Sequence, residues 1–324
     1  MRNAPAATLP AEAGTPNHGS PARSAAGFGV PALAGSACAL DRRVFLRIAV
    51  ATAGVASLDS VAVAAETAPA VLIDTNVYLS RWPLRRLPCD ETAALAAKLR
   101  ANGVTQAWAS SFDGLLHRDI GTVNMRLADE CRRHGDGLLI PFGSVNPKLP
   151  DWEDDLRRCA EEHRMPGIRL HPNYHGYKLD APDFSKLLRL ATERGLVVQL
   201  AAIMEDRRMM HPHLQVEPTD LKPLADVVKK TPGLRLELLN LKGHLSPDLL
   251  KAGDVRMEIA MIEGVGGVST LLSQVPADRV LFGSHAPLFY FESALLKLKE
   301  SPLTEDQLRA IRCDNARRLL AKKS

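Results

Sequence analysis

From residue 70 onward the chain alternates two hydrophobic patterns. Short runs of nearly continuous apolar residues, typical of strands buried on both faces, are followed by segments with apolar residues three and four apart, typical of amphipathic helices. The strand-like runs cover residues 71–74, 104–110, 138–145, 167–170, 196–202, 234–240, 255–261 and 279–283. Helical spacing covers 91–101 before Gly103, then 120–133, 152–162, 187–194 before Gly195, 221–230, 291–299, 305–311 and 315–322. This alternation predicts an α/β fold of the (β/α)8 TIM-like barrel type, forming a single domain over residues 67–324.

A barrel of parallel strands carries its active site at the strands' C-terminal ends, so the residues that follow each run are the candidates for chemistry. The richest such stretch is GIRLHPNYHGY at 167–177, a strand that runs into His171 and then Asn173, Tyr174, His175 and Tyr177. Imidazole titrates nearest neutrality, which makes His171 and, after the eighth strand, His285 the candidates for proton transfer. Arg169 lies inside the fourth strand. Its fork suits a substrate carboxylate, and an internal ion pair with Asp74 or Glu237 is the competing reading. Residues 204–216 form one long polar insertion after the fifth strand, which reads as a lid. Glu205, nearest the strand end, is its functional candidate, whereas the other charges and His175 are expected to be solvated.

Composition narrows the function classes. At 324 residues, 46% hydrophobic and 24% charged, the chain is an ordinary globular one. A net charge of +4 with bases scattered among acids gives no nucleic-acid surface, and the partner expected at a barrel mouth is a small-molecule substrate. Five widely spaced cysteines without a C-x-x-C pair read as free thiols. Neither a phosphate-binding glycine loop nor a serine elbow is present.

Residues 1–66 form a leader. Its first 40 residues are rich in Ala, Pro, Gly and Ser and are expected to be disordered. Arg42-Arg43, an apolar run at 48–58 and small residues at Ala62 and Ala64 resemble a twin-arginine export signal, which implies a periplasmic or exported protein. An early start codon on a cytoplasmic protein is the alternative. The run is too short for stable membrane insertion.

Ile73-Asp74, GIRLHP at the fourth strand, LFGSHAP at the eighth and DNARRLL at 314–320 together resemble the amidohydrolase-related family of the amidohydrolase superfamily. That family contains metal-dependent hydrolases, pyrone-dicarboxylate lactonases and decarboxylases. The resemblance implies metal ligands at a His-x-His pair after the first strand, His after the fifth and sixth, and Asp after the eighth. Here those positions read Asn76-Val77-Tyr78, Ala201, Asn240 and His285. Zinc requires at least three good donors, so no cofactor is expected, with a divalent metal as the minor alternative. The resulting expectation is a hydrolase acting without a metal on a lactone-like substrate. Asn76, Tyr78, Arg169, Tyr174, Glu205 and Asn240 would hold the substrate around His171 and His285. An inactive ligand-binding barrel and a decarboxylase are the alternatives. A polar cavity at the mouth would favour chemistry; apolar filling would favour a structural role.

Overall fold

The computed structural model describes residues 71–321; the leader and its export signal lie outside the described residues. Eight strands run in chain order around one sheet: β1 (Leu72–Leu79), β2 (Val104–Ser111), β3 (Leu139–Ser144), β4 (Gly167–Leu170), β5 (Val197–Ala201), β6 (Arg235–Leu239), β7 (Asp254–Glu258) and β8 (Val280–Leu281). Every consecutive pair is parallel. The last strand returns to the first through a bridge between Val77 and Ala286, supported by Thr75 N to Phe282 O at 2.9 Å and Tyr78 N to Ala286 O at 2.8 Å. The result is a nearly closed barrel with helices outside.

The strands are apolar throughout because both faces are covered. Their outer residues, among them Leu72, Ile168, Val198, Leu236 and Val255, pack with Leu99, Leu127, Leu156 and Leu187 of the helices in one core. Burying each such side chain contributes about 1.5–3 kcal/mol. Inside, Ile73, Trp108, Phe142, Val197 and Leu281 build an apolar floor, closed by Ala316 and Leu319 of the last helix. Trp108 and Phe142 stack at 4.9 Å. The first residue of β4 must be glycine for this, since a Cβ on Gly167 would lie 2.3 Å from the Phe142 ring.

Several boundaries differ from the sequence pattern. β1 continues to Leu79 rather than stopping at Asp74, which brings Asn76 and Tyr78 into the strand itself. β8 is only two residues long, Val280–Leu281. The residues after β4 form a helical turn, Pro172–His175, with Pro172 in the first turn, where its missing N–H costs nothing. Short helices at Pro247–Ala252 and Gly267–Leu272, not marked by clear spacing, complete the last crossovers. Cys89, Cys131, Cys159 and Cys313 are free thiols. Among the described residues, no helix is long and apolar enough to cross a membrane.

Candidate active site at the barrel mouth

Above the apolar floor the barrel interior becomes polar, organised around a wholly buried Arg169. Its guanidinium donates five hydrogen bonds: to Gln199 Oε1 at 2.8 Å, Asn76 Oδ1 at 3.4 Å, and the carbonyls of Val77 at 2.8 Å, Thr75 at 3.1 Å and Trp108 at 2.9 Å. It also lies 4.5 Å from the centre of the Tyr78 ring. The expected ion pair with Asp74 or Glu237 is therefore absent. Neutral oxygens satisfy all five N–H groups, leaving none for a substrate carboxylate, and this corrects the direct substrate-binding role expected of Arg169.

Three buried carboxyls share this interior. Thr75 Oγ1 and Gln199 Nε2 donate to Glu237, the latter at 2.8 Å, while burial pushes the carboxyl up to about 8. Glu258, at the end of β7, accepts from the amide N–H groups of Asn240 and Ala260, and burial raises it to about 7. Asp74 accepts from the Ser284 amide at 3.0 Å, and its carboxyl rises to about 6 for the same reason. A Cβ at Gly283 would strike the Glu258 side chain at 2.7 Å, so this glycine makes room for the carboxyl.

The predicted mouth residues do converge. Tyr78 Oη lies 2.9 Å from His171 Nε2, and the Tyr78 ring is 5.4 Å from that of His285. Asn76 Nδ2 donates to Asn240 Oδ1 at 2.8 Å. Burial, followed by the charges of His175, Arg169 and His285, holds His171 far below the usual imidazole range; burial takes His285 down to about 3. Burial also raises the Tyr78 phenol. The imidazoles are therefore neutral and the phenol protonated at neutral pH. Asn240 and His285 both adopt left-handed backbone conformations, φ +56° and +59°. Such strain persists at strand ends only where surrounding bonds impose it.

An apolar cover closes the cluster. Phe112 stacks on Tyr78 at 4.7 Å and Trp82 meets Phe112 edge-on at 5.1 Å. Leu87, Leu115, Met204 and Leu288 join them, with Tyr174 half-buried against the group. The mouth thus combines both expected outcomes, polar convergence and apolar filling.

Other expectations need correction. His175 is buried rather than solvated, its Nε2 donating to Gly114 O at 2.8 Å. Glu205 is buried and paired with Arg85 at 2.7 Å, so it locks loops together instead of facing an open pocket. Sequence reasoning missed Glu258, Met204 and Ser284; an acid ending a barrel strand was the available signal for the first. His171 Nδ1, His175 Nδ1, His285 Nδ1, Ser110 Oγ and Ser144 Oγ are buried without a partner. A cleft of 560 Å³ lined by Ser80, Arg81, Asp113 and Arg126 lies beside the mouth, on the β1 and β2 loops. Among the described residues, no group of three or more His, Cys, Asp or Glu is arranged to hold a metal ion.

A barrel with chemistry-bearing residues gathered at its strand ends defines an enzyme-type scaffold, and its sequence places it: the chain belongs to the amidohydrolase family, matched over residues 80–322. Solved structures with the same fold include 2,6-dihydroxybenzoate decarboxylase from Rhizobium, 15% identical, TM-score 0.59, covering 78% of this chain and 99% of that one. The 5-carboxyvanillate decarboxylase of Novosphingobium aromaticivorans, complexed with manganese, is 15% identical, TM-score 0.60, covering 77% and 96%. A probable 2-pyrone-4,6-dicarboxylic acid hydrolase from Acinetobacter baumannii, with citric acid bound, is 15% identical, TM-score 0.52, covering 77% and 98%. At these identities the likeness is one of fold. No curated protein matches the sequence.

Proposed function

We propose that this chain is a hydrolase of a small lactone or carboxylated ring, working without a resident metal and using His171, held in place by Tyr78, as its proton-transfer residue. The observation that carries the reading is the 2.9 Å contact between the Tyr78 phenol and the His171 imidazole at the strand ends. With Nε2–H donating to Tyr78, and the phenol donating to Met204 Sδ at 3.5 Å, the unpartnered Nδ1 of His171 is left as a base. It takes a proton from water as the water oxygen bonds to the carbonyl carbon. It returns that proton to the ring oxygen as the C–O bond breaks.

The donor set does not fit a divalent ion. Asn76 and Asn240 are bonded to each other, Ala201 offers nothing, and the His285 imidazole alone is one donor where at least three are needed. The Asn76 oxygen already faces the fixed positive charge of Arg169, which opposes a second cation. The test is a screen of the metal-analysed chain against lactones and aromatic acids, reading ring opening and carbon dioxide release. Ring opening that survives chelation and is lost in His171→Ala is the expected result. Activity only after adding manganese or zinc would overturn the reading, and carbon dioxide release alone would replace it with decarboxylation.

The apolar cover of Tyr78, Phe112, Trp82 and Leu288 favours a second reading, a silent barrel retained for ligand binding. Saturable binding in the same screen with no turnover would establish it.

A further inference from the structure

We propose that residues 203–205 are a displaceable plug, standing in for a ligand that carries two oxygen acceptors, such as a carboxylate or an ester group, on an apolar body. The inference rests on the reading of the mouth as a binding site and assigns that site an autoinhibited state.

After Ala201 the chain crosses the mouth. Ala202 is still fixed by backbone bonds, its N–H to Leu239 O at 2.9 Å and its carbonyl from Thr219 N at 2.9 Å. Beyond it, the backbone of residues 203–205 makes no hydrogen bond to other backbone among the described residues. Side chains hold the segment. Asn240 Nδ2 donates to Ile203 O at 2.8 Å, and His285 Nε2 to Met204 O at 2.7 Å. The Tyr78 hydroxyl reaches Met204 Sδ at 3.5 Å, and Arg85 pairs with Glu205 at 2.7 Å.

The donors stand at the ends of β1, β6 and β8, and the acceptors are two oxygens of adjacent residues. A ring of N–H and O–H groups facing paired oxygens is a receptor for oxygen acceptors, here occupied by the protein's own carbonyls. Met204 packs in the cluster containing the Tyr78–Phe112 stack, where the apolar body of a ligand would replace it. The two main donors, Asn240 and His285, both sit in left-handed backbone, so strained backbone aims them. Arg169 supplies fixed positive charge beneath, which favours an anionic occupant.

The sign of the response separates a plug from an ordinary lid. A ligand under a closed lid slows exchange in the covering segment; a ligand that replaces the plug releases it. The probes are 2,6-dihydroxybenzoate and citrate, with chloride as the ionic-strength control. In the Met204→Cys chain, maleimide labelling at position 204, read by mass spectrometry of its peptide, should rise about tenfold and saturably with a probe. In the unaltered chain, hydrogen exchange over residues 202–210 should rise with it, which answers the question if the variant does not fold. Removing a donor in His285→Phe should speed exchange without any probe.

Labelling and exchange that stay constant or slow with both probes would overturn the plug. Faster exchange without turnover of any screened compound would leave the plug standing and remove the hydrolase reading. Turnover with no change over 202–210 would do the reverse.

Discussion

Tyr78 and His171 are 93 positions apart in the chain, yet the phenol oxygen of one lies 2.9 Å from the imidazole Nε2 of the other. Replacing Tyr78 with Phe leaves that buried nitrogen without a partner, at a cost of about 1–3 kcal/mol. If Tyr78 holds His171 in its working tautomer, kcat/KM falls beyond any loss of folded protein, by at most about 10²–10⁴-fold. Urea unfolding and kinetics on the same preparation separate the two effects, and unchanged turnover in Tyr78→Phe would remove this pair from the chemistry.

Because burial holds His171 well below its ordinary 6.5, its base form persists where an exposed histidine would already be charged. The kcat/KM profile should therefore stay flat from about pH 8 down to about pH 6. A fall centred near the ordinary imidazole value would show that the working base is elsewhere.

Arg169→Met deletes a cation that satisfies three backbone carbonyls and the side-chain oxygens of Gln199 and Asn76. With several buried acceptors left unpaired, the loss should be about 4 kcal/mol or more. Arg169→Lys should not restore it, since an ammonium cannot span the same fork of partners. Denaturant midpoints measure both.

Stability should fall as pH rises from about 6.5 to about 8. Glu237 and Glu258 stay protonated in the folded barrel up to about 8 and about 7, but ionise near 4.5 when unfolded, so the fold binds more protons between those limits and loses stability as pH climbs. Asp74, raised to about 6, acts in the same direction at lower pH. His285 opposes them: it is neutral in the fold down to about 3 and charged in the unfolded chain below 6.5, which makes stability rise with pH up to 6.5. Above that value only the glutamates contribute among these groups. Glu237→Gln, a mimic of the protonated acid, should flatten the slope in urea titrations.

The export reading makes a separate prediction. A reporter carrying residues 1–66 should cross the cytoplasmic membrane, and Lys at positions 42 and 43 should stop it. Transfer that ignores those replacements would remove the twin-arginine assignment.

The barrel was legible because its strands are covered on both sides and therefore read as unbroken apolar runs between helical periods. GIRLHP and LFGSHAP likewise marked His171 and His285, since the period breaks where a strand leaves the core. β1 was read too short: Thr75, Asn76 and Tyr78 are polar yet point into a polar interior, which a hydrophobicity pattern cannot separate from a loop. The Arg169 contacts were illegible for a different reason. A charged residue suggests a charged partner, whereas its main acceptors are backbone carbonyls, which every residue possesses. Nor does the polar text of 204–216 reveal that Met204 and Glu205 turn inward, because that depends on His285, Tyr78 and Arg85, all distant along the chain.

Asn315, in the last helix, donates to the carbonyls of Ala277 at 2.7 Å and Val280 at 2.6 Å, on either side of the start of β8. The shortest stave of the barrel is thus hooped by a side chain that lies 35 positions further along the chain. The barrel's closing strand therefore leans on a helix outside the sheet as well as on its bridge to β1. Clipping the chain ahead of that asparagine would remove the clasp and let the seam beside β1 spring open, with every residue of the mouth still present.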